Sequence, residues 1–227
     1  MQLIIIISVI SIIVIQIMMG INAKKLKKIA LDENLNKIAE KYPSNEEICK
    51  TILKEINNTE IKIEESKNSE ATIYLALQNK IIIGDTHKSF TRIQTIAHEC
   101  LHSIQDRKML IFNFIYSNIY LLYFAIICIL VILKKIDNTM MYSNIFLILS
   151  FIYYVVRVFL ENDAMIKAQY IAKEYMQEQA VATEEEVKNI FEGFQNLNKE
   201  LIKGTNCNLF TGIMIKLVIF NALALIF

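Results

Sequence analysis

Three residues in the middle of the chain have the types and the spacing of a catalytic metal site. They lie in the pentapeptide His98-Glu99-Cys100-Leu101-His102. On a helix, residues four apart lie about 40° from each other around the axis, so both imidazoles can bind one tetrahedral Zn²⁺. Zinc lowers the pKa of a bound water, and Glu99 can take the proton as general base and return it to the leaving amine. The pattern predicts one zinc ion per chain and peptide-bond hydrolysis, with a chance pair of histidines on a surface helix as the alternative.

A catalytic zinc needs a third protein ligand and an open fourth position. His87, the only other histidine, lies in a polar loop. Glu161 is the better candidate, because two apolar stretches that cross a bilayer and return would bring it back to the side of the histidines. Asp163 could orient a ligand from behind. The alternative for both acidic residues is a polar helix start at the membrane boundary. We expect Cys100 to pack in the core and not to bind the metal.

The elements that must position these residues are those of a membrane protein. Of the 227 residues, 54% are hydrophobic, and the excess lies in uninterrupted blocks long enough to cross a bilayer. The net charge of +1, with no dense basic face, argues against nucleic acid as a partner. We predict five segments: a membrane anchor (1–22), a soluble α+β segment with the zinc helix (23–108), a transmembrane hairpin (109–160), a soluble helical segment with the third ligand (161–208) and a last transmembrane helix (209–227).

Basic residues near the blocks predict the orientation in the membrane. Lys24, Lys25, Lys27 and Lys28 follow the first block and do not precede it, so we expect a retained anchor and not a cleaved signal peptide. The same lysines predict that 23–108, and with it the active site, faces the cytoplasm of a multi-pass protein in the plasma membrane. Two further pairs divide on this point: Arg107 and Lys108 agree, whereas Lys134 and Lys135 disagree.

The soluble parts have their own helix and strand patterns. Predicted helices cover 24–41, 45–56 behind a Ser44/Glu47 capping box, 90–108 leading into the second block, 161–178 continuing the third, and 183–203 behind a Thr183/Glu186 capping box. Predicted strands cover 60–64, 72–77 and 81–84, and one of the last two could pair with an extended substrate. The predicted fold is a mainly α membrane protein with about four transmembrane helices and a small α+β zincin-like cytoplasmic domain. Lys216, inside the last block, could mark an internal polar site, snorkel or face a neighbouring helix.

Two local stretches resemble the YugP-type neutral zinc metallopeptidases of bacterial membranes. Residues 97–105, A-H-E-C-L-H-S-I-Q, are similar to that family's A-H-E-x-G-H-A-I-Q, and Glu161-Asn162-Asp163-Ala164 is similar to the start of its E-F-[ND]-A-S-R-R-A. The resemblance implies His98, His102 and Glu161 as zinc ligands and Glu99 as the catalytic base. Leu101 replaces the family's glycine, and its D-H-Y-D-P-type stretch has no counterpart in 70–90. HtpX-like and CaaX-processing peptidases are similar in plan, but Met165 stands where their aspartate should be.

The function expected from these features is hydrolysis of peptide bonds in membrane or membrane-proximal proteins. The expected partners are the lipid bilayer and a peptide or membrane-protein substrate. Lys167 and Tyr170 are candidates to stabilise the tetrahedral oxyanion. The alternatives are a non-catalytic membrane protein with a structural zinc site, and a small membrane protein with a chance motif.

Overall fold

The computed structural model describes residues 1–66, 69, 71–85 and 89–227. Its helices are α1 (Gln2–Met19), α2 (Ala23–Ala30), α3 (Glu33–Ala39), α4 (Asn45–Glu55), α5 (Arg92–Ile104), α6 (Arg107–Ile132), α7 (Thr139–Gln179) and α8 (Glu184–Ile226). Its strands are β1 (Lys62–Ser66), β2 (Ile73–Leu75) and β3 (Lys80–Gly84). The chain divides into two compact units. The first comprises Met1–Ile21, Phe112–Phe159 and Lys203–Phe227, and the second comprises Asn22–Ile111 and Leu160–Ile202.

The first unit is made of apolar helix. Helices α1, α6, α7 and α8 are each long and apolar enough to cross a membrane. Helix α1 overlaps the predicted anchor 1–22, α6 and α7 share the predicted hairpin 109–160, and α8 overlaps the predicted last helix 209–227. The coarse prediction is therefore confirmed: the chain is mostly helical, with four long apolar helices and a small sheet.

Inside the first unit, aromatic side chains join α6 to α7. The Tyr116 hydroxyl donates to the carbonyl of Leu149 at 3.0 Å, and the Tyr123 hydroxyl donates to the carbonyl of Tyr142 at 3.3 Å. The earlier of the two tyrosines of α6 contacts the later of the two residues of α7, so the two helices run antiparallel.

Helix α8 contributes polar contacts to the same unit. Asn221 donates to the Ser143 hydroxyl at 2.9 Å, and the Lys216 ammonium lies 5.8 Å from the centre of the Tyr120 ring. Lys216 also donates to the carbonyl of Gly212, one turn earlier. Of the predictions for Lys216, the structure shows the one in which it faces a neighbouring helix.

The second unit is built around α5, whose apolar residues recur with helical period. The buried set is Ile93, Ile96, Ala97, Cys100 and Leu101. Cys100 is fully buried with its Sγ 3.7 Å from that of Cys49, and burial raises the pKa of its thiol well above the usual value. It lies two residues, or about 200°, from each histidine, so the core face and the histidine face are opposite sides of one helix.

The sheet of the second unit has the order β1-β3-β2. Strand β1 pairs with β3 in parallel, and β2 pairs with β3 in antiparallel register. The predicted hairpin is confirmed, although its strands are β2 (Ile73–Leu75) and β3 (Lys80–Gly84) and not 72–77 and 81–84. Because β3 is central, β2 is an edge strand.

Local capping explains where the predicted helices are right and where they are wrong. Both capping boxes are present, at Ser44 with Glu47 and at Thr183 with Glu186. The single helix predicted over 24–41 is wrong, because the Asp32 carboxylate accepts from the N–H groups of Asn34 and Leu35 and starts a new helix there.

The joins between soluble and apolar segments also differ from expectation. The helix predicted to run from 90 to 108 ends at Ile104, because Gln105 is extended and α6 starts anew at Arg107. Helix α7 runs through 161–178 as predicted, and α8 continues without a break past residue 203 to Ile226.

Candidate metal centre

Two histidines of α5 direct their ring nitrogens at each other. His98 and His102 are one turn apart, and their Nε2 atoms lie 3.0 Å from each other. The ring planes are nearly perpendicular, at 86°. Their side chains are 17% and 11% exposed, so the pair is shielded but reachable from solvent.

Glu161 of α7 places a carboxylate oxygen beside the two imidazole nitrogens. Its Oε2 lies 3.5 Å from His98 Nε2 and 3.9 Å from His102 Nε2. A triangle whose sides are these distances and the 3.0 Å between the nitrogens has all corners about 2.0 Å from one common point. That is the length of a bond from zinc to an imidazole nitrogen or a carboxylate oxygen. These residues therefore fit a zinc ion in both donor type and spacing.

Glu99 lies beside these three atoms, and its two carboxylate oxygens have different neighbours. Its Oε1 lies 3.9 Å from His98 Nε2, and its Oε2 accepts a hydrogen bond of 2.6 Å from the backbone N–H of Tyr74. The donor atoms of His98, Glu99 and His102 all lie within 4.8 Å of one another. Strand β2 thus holds one oxygen of Glu99, while the other lies on the side of the histidines.

Buried polar contacts hold the N-terminal end of α5 in place. The guanidinium of Arg92 donates to the carbonyls of Ala39, Tyr42 and Pro43 and to the side-chain oxygen of Asn45. Because a buried cation is costly unless its donors are satisfied, these four acceptors position the first turn of α5 against α3 and α4.

A second set of polar contacts holds the C-terminal end of α5. Asn58 donates to the backbone carbonyl of Ser103 at 3.1 Å and to its hydroxyl at 2.9 Å. The last turn of the helix, which carries His102, is thereby tied to the loop that follows α4.

Asp163 contacts the candidate centre indirectly, through Gln105. Its Oδ2 accepts from the Gln105 side chain at 3.3 Å, and its Oδ1 is 2.6 Å from the ammonium of Lys167. The hydrogen bond from Lys167, and then that from Gln105, lower the pKa of Asp163 in spite of partial burial. The structure therefore places Asp163 behind Gln105, which in turn contacts His102.

Gln105 is the residue at this site to which the sequence analysis gave no role. It was only one letter of the resemblance, since a glutamine three residues after a histidine carries no chemical signature by itself. Its Oε1 lies 2.8 Å from His102 Nδ1, and its amide nitrogen donates to the carbonyl of Leu160 at 2.9 Å. Helix α5 ends at Ile104, and Gln105 is extended. The sequence predicted a helix through residue 108 and so did not indicate that this amide lies close to His102.

The other predicted site residues lie as follows. Lys167 forms an ion pair with Asp163, and the ring of Tyr170 packs against that of Phe191 with centroids 5.6 Å apart. Neither contact supports the predicted role in stabilising the oxyanion. His87 lies outside the described residues. Within the part of the chain that the structure describes, the group around His98 is the one cluster of three or more such side chains that could hold a metal ion.

The chain was compared with protein-family models, with curated proteins and with solved structures. None of them matches. The functional argument for this chain therefore rests on the geometry of its own residues.

Proposed function

We propose that the chain is a membrane-embedded zinc metallopeptidase with its active site in the second unit. One observation carries the proposal: two imidazole nitrogens and the Glu161 oxygen surround one point at zinc-bond distance, while Glu99 is held beside them. Three protein ligands with a position left for water are typical of catalytic zinc sites, whereas structural sites usually have four.

In the proposed reaction, His98, His102 and Glu161 hold the ion and Glu99 moves the proton. Bound zinc supplies the polarisation of a water molecule and of the substrate carbonyl. Glu99 accepts the proton of the attacking water and delivers it to the leaving amine. The hydrogen bond from Tyr74 N–H keeps the Glu99 carboxylate from rotating, so that Oε1 stays on the side of the histidines.

The proposed substrate is an extended stretch of polypeptide. Strand β2 is an edge of the sheet, and the N–H of its central residue already meets the proposed catalytic base. A peptide that pairs with this edge can donate to the outward carbonyl of Tyr74, whose N–H is engaged by Glu99, and would pass beside Glu99. Ile73 and Leu77 are exposed next to this edge and could contact side chains of the substrate.

The proposed location is the plasma membrane, with the active site in the cytoplasm. Support comes from four helices that are apolar enough to cross a bilayer and from the four lysines that follow α1. Membrane or membrane-proximal proteins are then the substrates within reach.

The experiment pairs zinc analysis with proteolysis for wild type and Glu99→Gln, both purified as full chains in detergent. A library of unstructured peptides serves as substrate. We expect about one zinc per chain in both proteins, and a loss of about 10²-fold or more in cleavage for Glu99→Gln. Glu46→Gln is the control, because Glu46 forms an exposed ion pair with Lys50 on α4 and should cleave like wild type.

Three results would each contradict the proposal in a different way. Absence of zinc from the wild type would leave the motif a chance pattern. Zinc without cleavage by any of the proteins would favour a structural metal site. Equal cleavage by wild type and Glu99→Gln would assign the proton transfer to another group.

A further inference from the structure

One side chain joins the end of α5 to the helix that carries Glu161. Gln105 contacts His102 Nδ1 through its Oε1 at 2.8 Å, and through its amide nitrogen the carbonyl of Leu160 at 2.9 Å and the carboxylate of Asp163 at 3.3 Å. Leu160 and Asp163 flank Glu161 on α7. Gln105 is therefore bonded both to one proposed ligand and to the turn that presents another.

The partners of Gln105 determine which way its amide points. The Leu160 carbonyl only accepts hydrogen bonds, and the Asp163 carboxylate, which pairs with the Lys167 ammonium at 2.6 Å, is also an acceptor. The amide nitrogen, which only donates, must face these two groups. The Gln105 oxygen, which only accepts, must then face His102.

This orientation also determines the tautomer of His102. Because Nδ1 faces an acceptor, it carries the ring proton, and Nε2 is left with its lone pair. That lone pair points at His98 Nε2, 3.0 Å away. In the metal-free chain the N–H of His98 can donate to this lone pair. A bound cation would instead be held by the Nε2 lone pairs of both histidines and by the Glu161 carboxylate.

We propose that Gln105 is a positioning residue for the metal: it holds His102 in the tautomer that binds and keeps α7 in the register that brings Glu161 to the histidines. The proposal rests on the metal site of the proposed function but not on its peptidase activity. A histidine ligand whose second nitrogen is hydrogen-bonded binds its metal more tightly, and removal of such a partner typically costs about 10–100-fold in affinity.

The first test measures the tautomer of His102 in the zinc-free wild-type chain. Long-range ¹H–¹⁵N NMR separates the two ring nitrogens, and the chain has only three histidines to assign. At about pH 8, where free imidazole is neutral, we expect the His102 proton on Nδ1. A proton found mainly on Nε2 would overturn the proposal without any substitution.

The second test measures Zn²⁺ affinity by competition with a chelator, in the full chain in detergent. Gln105→Met has nearly the same shape but makes none of the three hydrogen bonds. We expect its affinity to fall about 10–100-fold and its His102 to populate both tautomers. The matched control is Asn58→Ala, which removes the bonds of Asn58 to Ser103 at the same helix end but leaves His102 Nδ1 bonded.

The two variants separate positioning from general loosening of the helix end. We expect Asn58→Ala to lose clearly less zinc affinity than Gln105→Met, since it loosens the helix end but keeps the hydrogen bond at His102 Nδ1. An equal drop in both variants, or no drop in Gln105→Met, would overturn the proposal. Because neither measurement uses proteolysis, a chain that binds zinc but cleaves nothing would contradict the peptidase function and leave the role of Gln105 intact.

Discussion

Glu161 shows how much a single side chain contributes to the candidate centre. Without it, His98 and His102 are two imidazoles one turn apart, which a proton shared between their nitrogens can satisfy. Its carboxylate adds a negative charge 3.5 and 3.9 Å from those nitrogens, at a side chain only 15% exposed. A cation bound among the three would be attracted most strongly by this carboxylate, so Glu161 is the residue on which metal binding should depend most after the histidines.

We therefore predict that Glu161→Ala lowers Zn²⁺ affinity at least as much as the 10–100-fold that loss of an orienting partner typically costs. Competition with a chelator measures it. The control is Glu174→Ala, which removes a carboxylate from an exposed position of the same helix, α7, and should bind zinc like wild type. Equal affinity of Glu161→Ala and wild type would mean that another group completes the site.

Among the elements, β2 links the sheet to the chemistry. In an antiparallel pair, residues alternate between those bonded to the partner strand and those whose backbone groups point outward. Tyr74 lies opposite Ile81, and its N–H points to Glu99, so Ile73 and Leu75 provide the ladder to β3. The same strand can thus stay paired in the sheet and hold the proposed catalytic base.

Proline at position 74 tests this link, because it removes the outward N–H without removing a ladder bond. We predict that Tyr74→Pro retains zinc but cleaves peptides about tenfold or more slowly than Tyr74→Ala, since a hydrogen bond to a charged group is worth about 1.5–3 kcal/mol. Tyr74→Ala is the matched control, as both variants lose the phenol that bonds Asn79. The readout is kcat at equal zinc content, and equal kcat values would assign no role to the N–H.

For the whole molecule, the decisive property under the proposed membrane location is which side of the bilayer would hold the second unit. The cationic residues after α1 and in the first turn of α6 favour the cytoplasm, while Lys134 and Lys135 between α6 and α7 oppose it. Helices α6 and α7 form an antiparallel pair, so the loop between them lies on the other side from residue 108 if both cross the bilayer. One measurement on each side determines the orientation.

We predict that a membrane-impermeant thiol reagent labels Asp137→Cys but not Glu60→Cys in intact cells, and labels both after permeabilisation. Both positions are exposed in the structure. Cys128, the half-buried native cysteine, is replaced by serine in the background, since the other three are buried. Labelling of Glu60→Cys in intact cells would reverse the orientation and place the active site outside.

The sequence by itself determined the parts of this protein that depend on local or one-dimensional patterns. The spacing of His98 and His102 puts both rings on one side of any helix, because the period of an α-helix is a local property. Runs of apolar residues identify the four long helices, because the length needed to cross a bilayer is a simple threshold. Both capping boxes were also predictable, since their hydrogen bonds join residues three apart.

Only the tertiary structure decided which groups surround the candidate ligands. The bond from Tyr74 N–H to Glu99 and the bridge from Gln105 to Leu160 join residues 25 and 55 positions apart. Neither a backbone N–H nor a glutamine has a sequence pattern that announces such a partner. The end of α5 at Ile104 was likewise decided by tertiary contacts. Hydrogen bonds from Gln105 to α7 offset the loss of helical structure at that residue, and the helix propensity of the local sequence does not include them. The residues of the candidate centre could thus be named from the sequence, while their orientation depended on the packing of α5, α7 and β2 in the second unit.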